Sequence, residues 1–173
     1  EIIEKAIFGL EQNWVGTLTP LHATSSGKVL LAFMAPETRR GLLEAAGLTR
    51  FTDRTITSID ELEPELMLVP RNGYALSMEE LEHGLNAVAA PIRDHRGAVI
   101  AALSVSGPVY RLTGERTKEI IPAVVAAADA VDTLGGYLVT KVGRVPLRGE
   151  LVPGPGSFEI EILDADPRRV KRV

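Results

Sequence analysis

Residues 85–107, LNAVAAPIRDHRGAVIAALSVSG, decide the fold. Two apolar runs, 85–94 and 98–107, flank the polar turn "DHRG". Runs of this length, bounded by turn residues, read as strands, and their adjacency reads as an antiparallel hairpin. If residues 93 and 98 pair across the turn, Ala87 lies opposite Ser104 and Leu85 opposite Ser106. Ser104 and Ser106 stand two apart and so share one face of the sheet.

On either side of the hairpin the hydrophobic period is helical. "LTGERTKEIIPAVVAAADAV", 112–131, reads as a helix with Thr113 at its cap and Pro122 as a kink. "TSIDELEPELMLVPRNG", 57–73, reads as a helix capped by Thr57 or Ser58 and closed by Gly73, with Pro64 and Pro70 making it imperfect. "APETRRGLLEAAG", 35–47, has a first-turn proline, Pro36, and a stop glycine, Gly47. Residues 22–34 read as another helix, with Thr24, Ser25 and Ser26 all competent to cap it. Residues 1–12 show helical spacing through Ile2, Ile3, Ala6, Ile7 and Leu10. Beyond residue 131 the texture changes. "GRVPLRGELVPGPG", 143–156, is rich in Gly and Pro, and "SFEIEILDAD", 157–166, alternates as a strand does.

Composition narrows the function. With 45% hydrophobic and 24% charged residues, the 173-residue chain can build a real core. A net charge of −4 argues against a nucleic-acid surface, which needs clustered Lys and Arg. The absence of cysteine excludes disulfides, thiol chemistry and Cys-based zinc sites, and fits a reducing cytoplasm. No apolar run is long enough to span a bilayer and no signal segment opens the chain, so no membrane partner is expected. The chain begins with Glu1 rather than Met, which reads as a fragment or a processed piece.

The knot "PLHATSSGKVLLAF", 20–33, invites three readings. A phosphate-binding loop fails, because His22 stands at the first-glycine position and Val29 follows Lys28. A nucleophile elbow fails, because Ala23 takes the place of its first glycine. A capped helix start remains, and its free amides and positive helix end can also receive an anion. Elsewhere, Glu79 and His83 have a helical ligand spacing, but no second histidine stands near them, so no metal site is assigned. His22 and His95 read as loop or cap residues. No Ser/His/Asp order makes a triad, so no catalytic residue is assigned and the chain is not expected to be an enzyme. The terminal "RRVKR" reads as solvated charge.

The stretches "LHAT-x-x-GK", "RNGY", "E-x-G-x-x-x-V-A-A-P-I" and "ALSVSGP" together resemble the effector-binding domain of the IclR family of bacterial transcription regulators, from about Val15 to Ala130. The resemblance implies an α/β (α+β) fold with a GAF-like or PAS-like antiparallel sheet flanked by helices. It implies a non-enzymatic sensor that binds a small organic acid, needs no cofactor, and works as a homo-oligomer. It also implies a pocket lined by Ser25 and Ser26, Ser77, Ala87, Ser104 and Ser106. Ser77 stands where many members carry Asp, which removes a negative charge. Ser25 and Ser26 add hydroxyls where some members have Gly and Ala.

The ends depart from that pattern. Upstream of Val15 the family would place a winged-helix domain and early sensor strands. Only residues 1–14 stand there, left unassigned as an N-terminal helix. DNA binding is therefore not expected of this chain itself, and the sheet is expected to be incomplete on that side, with an edge open to the C-terminal strand. Residues 131–173, through "VDTLGG", "GRVPLRGE" and "LDADPRRVKR", resemble the C-terminal half of the CorC/HlyC transporter-associated domain, a β-rich appendage. The chain reads as a mosaic, natural or engineered, joined near Ala130–Val131. The alternative to the sensor is a structural or interaction module of the transporter-associated type with a non-functional pocket.

Overall fold

The structure, a computed structural model, describes residues 19–94, 96–130, 142–153, 159–162, 164–166 and 169–172. The helix expected over residues 1–12 and the Val131 side of the expected Ala130–Val131 junction lie outside them, as does His95. The described residues belong to two compact units, Thr19–Ala130 and the segment after it.

The first unit runs α1 (Ser25–Ala32), α2 (Pro36–Ala46), α3 (Ile59–Asn72), β1 (Ala75–Met78), β2 (Leu85–Arg93), β3 (Val99–Pro108) and α4 (Gly114–Ala130). Its three strands form one antiparallel sheet in the order β1-β2-β3. β2 is central and covered on both faces, which is why its sequence is apolar almost throughout. On one face Ala75 and Ala89 join Val29, Leu31, Leu43, Leu62, Leu66 and Val69 in the main core. On the other face Val88 and Ala90 meet Val124 and Ala128 of α4.

Local chemistry sets the helix ends. Thr24 caps α1, its hydroxyl accepting from the Gly27 amide at 3.1 Å. Pro36 begins α2, and Gly47, at φ +70°, ends it. Ser58 holds the cap position of α3 without a side-chain cap bond, and Gly73, left-handed at φ +79°, ends that helix. Thr113 caps α4 by accepting from the Arg116 amide at 3.2 Å. α3 passes unbroken through Pro64 and Pro70, and α4 through Pro122. All three prolines lie on exposed faces, where a carbonyl left without its helical donor can bond water.

Three expectations are corrected. First, the hairpin pairs Ala87 with Ser106 and Leu85 with Pro108, two residues from the register expected from sequence. The Asp94 amide donates to the Ala98 carbonyl at 2.8 Å, and the Asp94 carboxylate accepts from the Arg96 and Ala98 amides, which closes the turn one residue later. A bulge between Ile92 and Arg93 adds the second residue. Because the slip is even, no side chain changes face. Second, residues 75–78 are a strand, and residues 79–84 form a turn rather than a helical one, with Glu79 at φ +61°. Third, the run read as one strand over 157–166 contains two short strands, β5 (Glu159–Glu161) and β6 (Asp164–Asp166). β5 pairs with β4 (Leu151–Pro153) and β6 with β7 (Arg169–Arg172), so this segment finds its partners within its own unit. Val152 and Ile162 form its small core. Arg144 grips Glu150 with two bonds of 2.8 and 2.9 Å, and that grip holds the Glu150 carboxyl below the usual carboxylate range.

Candidate functional site

The register of the sheet brings the expected site residues onto one face. Ser77 lies opposite Ala87, and Ala87 opposite Ser106, so these three form a row across β1, β2 and β3. Ser104 lies in the next row on the same face, opposite Ala89. This is the face on which α1 packs, since Ala75 and Ala89 share its core cluster with Val29 and Leu31. The buried Ser77 hydroxyl donates to the Ala23 carbonyl at 2.8 Å, which fixes the start of α1 over the row. Ser25 is buried and Ser26 half-buried at the first two positions of that helix. Ser104 and Ser106 are exposed, so the row runs from a buried end at Ser77 to an open end at β3.

This face can present hydrogen-bond donors to a negative group. Thr24 takes up the Gly27 amide, and among the described residues nothing accepts from the Ser25 and Ser26 amides. These amides and the positive end of α1 favour a negative group. Ser104 and Ser106 add hydroxyls at the open end. The Ser77 hydrogen is already committed to Ala23, so Ser77 offers its lone pairs instead. Ala87 supplies the small side chain that leaves room between the flanking serines.

Gly27 is the residue that lets α1 sit here. A Cβ on it would lie 2.3 Å from the Leu21 carbonyl oxygen and 2.6 Å from the Thr24 hydroxyl, so only glycine permits this approach. Lys28 anchors the helix from below. Its Nζ is buried and donates to Glu80 and Glu65, each at 2.7 Å. Glu80 is presented by the turn after β1. The Thr52 hydroxyl bonds the Glu79 carbonyl at 2.7 Å, and the Thr55 hydroxyl bonds the Glu80 carbonyl at 2.6 Å. Burial pushes the Glu80 carboxyl above the usual carboxylate range, against the pull of the Lys28 ammonium. Sequence reasoning missed this Lys28–Glu80–Glu65 group. Lys28 sits in an apolar run and Glu80 in an acidic one, and nothing in either run marks them as partners.

The other titratable candidates have structural partners. His22 is buried, with Nε2 2.9 Å from the Thr49 carbonyl oxygen and its ring against Phe51. Glu79 pairs with Arg54 at 2.8 Å and accepts from the Gly84 amide. His83 lies 3.7 Å from Asp53. No cluster able to hold a metal occurs among the described residues. None of their helices is long and apolar enough to cross a membrane.

The sequence profile described as "Bacterial transcriptional regulator IclR C-terminal" matches residues 10–133. The chain belongs to the IclR family. The HTH-type transcriptional regulator KdgR of Escherichia coli (strain K12) is 40% identical over 123 residues, 71% of this chain and 47% of that protein. The HTH-type transcriptional repressor AllR of Salmonella paratyphi A is 40% identical over 102 residues, 59% of this chain and 38% of that protein. The chain thus spans less than half the length of these IclR relatives. Among solved structures, the C-terminal domain of E. coli KdgR superposes with a TM-score of 0.60 at 41% identity, covering 65% of this chain and 69% of that one. The inducer-binding domain of PobR from Acinetobacter, a double mutant in complex with 3-hydroxybenzoic acid, superposes with a TM-score of 0.63 at 34% identity, covering 67% of each chain. The profile of the CorC_HlyC transporter associated domain matches residues 119–173 and overlaps the IclR match at α4.

Proposed function

We propose that residues 15–130 form an effector-binding domain that captures a small organic acid on the α1 face of the sheet. One observation carries the reading: Ser77, Ala87 and Ser106 stand in a single row under the start of α1, whose first two amides have no acceptor among the described residues. The carboxylate would take the Ser25 and Ser26 amides. Ser104 and Ser106 would bond the remaining polar atoms, and Ala87 would set the width. Similarity to PobR, whose inducer-binding domain is described with 3-hydroxybenzoic acid, supports a carboxylate as the ligand class.

The work we infer is binding and not catalysis, and it fits that His22, just ahead of α1, is held in structural bonds. In a longer regulator the effector would act by population shift, binding one arrangement better than the other. A cytoplasmic homo-oligomer is the setting we infer. The alternative, an interaction module with an idle pocket, draws on the CorC_HlyC match over 119–173.

Amide NMR of the full chain with 3-hydroxybenzoate and with a short aliphatic carboxylate tests the site directly. Saturable shifts should cluster at Ser25, Ser26, Ala87, Ser104 and Ser106. Shifts confined to other residues would refute this location.

A further inference from the structure

A cavity of about 300 Å³ lies along the outer edge of β1, beneath α3, apart from the serine row. Leu68, Leu76 and Met78 form its apolar wall, and Lys28, Glu65 and Glu80 its polar end. That end holds two carboxylates and one ammonium. Both carboxylates bond the same Lys28 Nζ, so one negative charge is left over. The deeper of the two carboxyls is Glu80, a residue only 7% exposed. Its Oε1 accepts from Lys28 and, at 3.4 Å, from the Met78 amide. Its Oε2 is buried with no hydrogen-bond partner among the described residues. A buried carboxylate oxygen without a donor is costly, and the protein keeps it there with a clamp. The Thr52 and Thr55 hydroxyls hold the turn, and Glu79 adopts φ +61°, a backbone region that non-glycine residues seldom occupy.

We propose that this cavity is a second binding site, for a small alkylammonium ion whose head bonds Glu80 Oε2 and whose alkyl stem lies along Leu68, Leu76 and Met78. The head supplies the missing donor and cancels the leftover charge. The stem removes apolar surface from water. Oε2 is closed to solvent in this conformation, so the head reaches it as lining side chains shift. Met78, unbranched and with three rotatable bonds, is the wall best able to yield. The site selects against anions by the same excess charge, which sets its ligand class opposite to that of the serine row. Its ligand does not depend on the serine row being functional.

The test is calorimetric titration of the full chain with n-butylammonium chloride, with sodium butyrate as the control. Saturable binding of the amine and none of butyrate is expected. Glu80→Gln removes the charge, and affinity should fall about tenfold or more, since bonds to charged groups carry that much. Leu68→Trp, at a half-exposed position, should block the cavity without disturbing the core. Ser104→Ala/Ser106→Ala should bind the amine as the parent does. Absence of saturable amine binding by the folded parent would overturn the proposal. So would equal binding by Leu68→Trp, or equal binding by a cooperatively melting Glu80→Gln.

Discussion

Single residues here carry two unlike jobs, and Glu80 shows the tension between them. Lys28 needs a carboxylate because its ammonium is buried. Glu80 supplies one, yet desolvation lifts its pKa, with the Lys28 charge opposing and Glu65 adding to the rise. A carboxyl raised in the folded state contributes its stability in full below its unfolded pKa and loses it as pH rises through the folded value. Relative to Glu80→Gln, the parent should therefore lose melting temperature as pH rises from about 4.5, the ordinary value for this group. Thermal melts of both proteins across that range check it. A gap that moves in favour of the parent would contradict dominance by burial. Little of this was legible in advance. A buried lysine in an apolar helix and a glutamate in an acidic turn look like surface charge until the fold joins them.

The elements were more legible, because their punctuation is chemical. Pro36 with Gly47, Gly73 and Thr113 marked helix ends that the structure keeps. β1 escaped notice because four residues alternate too briefly to signal a strand, and the acidic turn that follows resembles helix. The hairpin register slipped by two because turn bonding and a bulge act below the level of pattern. Gly27 and Gly41 separate packing from propensity within two helices. Glycine to alanine usually stabilises a helix interior by about 1 kcal/mol. Gly41→Ala should gain about that much, since none of the described residues outside its own helix turn lies within 4 Å of its added Cβ. Gly27→Ala should instead lose about 1–3 kcal/mol, because the methyl meets the Leu21 backbone. Denaturant melts of the two variants decide it. A neutral or stabilised Gly27→Ala would mean that α1 does not need this close approach.

At the scale of the molecule, the antiparallel sheet between helices was readable from the change of period at residue 85 and from family-like motifs. The partners of the C-terminal strands were not. A short alternating run specifies that a strand forms, and its neighbour depends on contacts distant in sequence. The chain belongs to the IclR family over residues 10–133, and its site proposal rests on a row of small hydroxyls beneath one helix end. The most direct measurement is a thermal shift with small aliphatic and aromatic carboxylates, comparing the parent with Ser104→Ala/Ser106→Ala. Both serines are exposed, so the variant should melt within about 0.5 kcal/mol of the parent without ligand. Ligand at about one hundred times its Kd should stabilise the parent by about 2.7 kcal/mol. The prediction is a shift in the parent that is lost in the variant. A cooperatively melting parent that no carboxylate shifts, or an equal shift in both proteins, would contradict binding on the serine row.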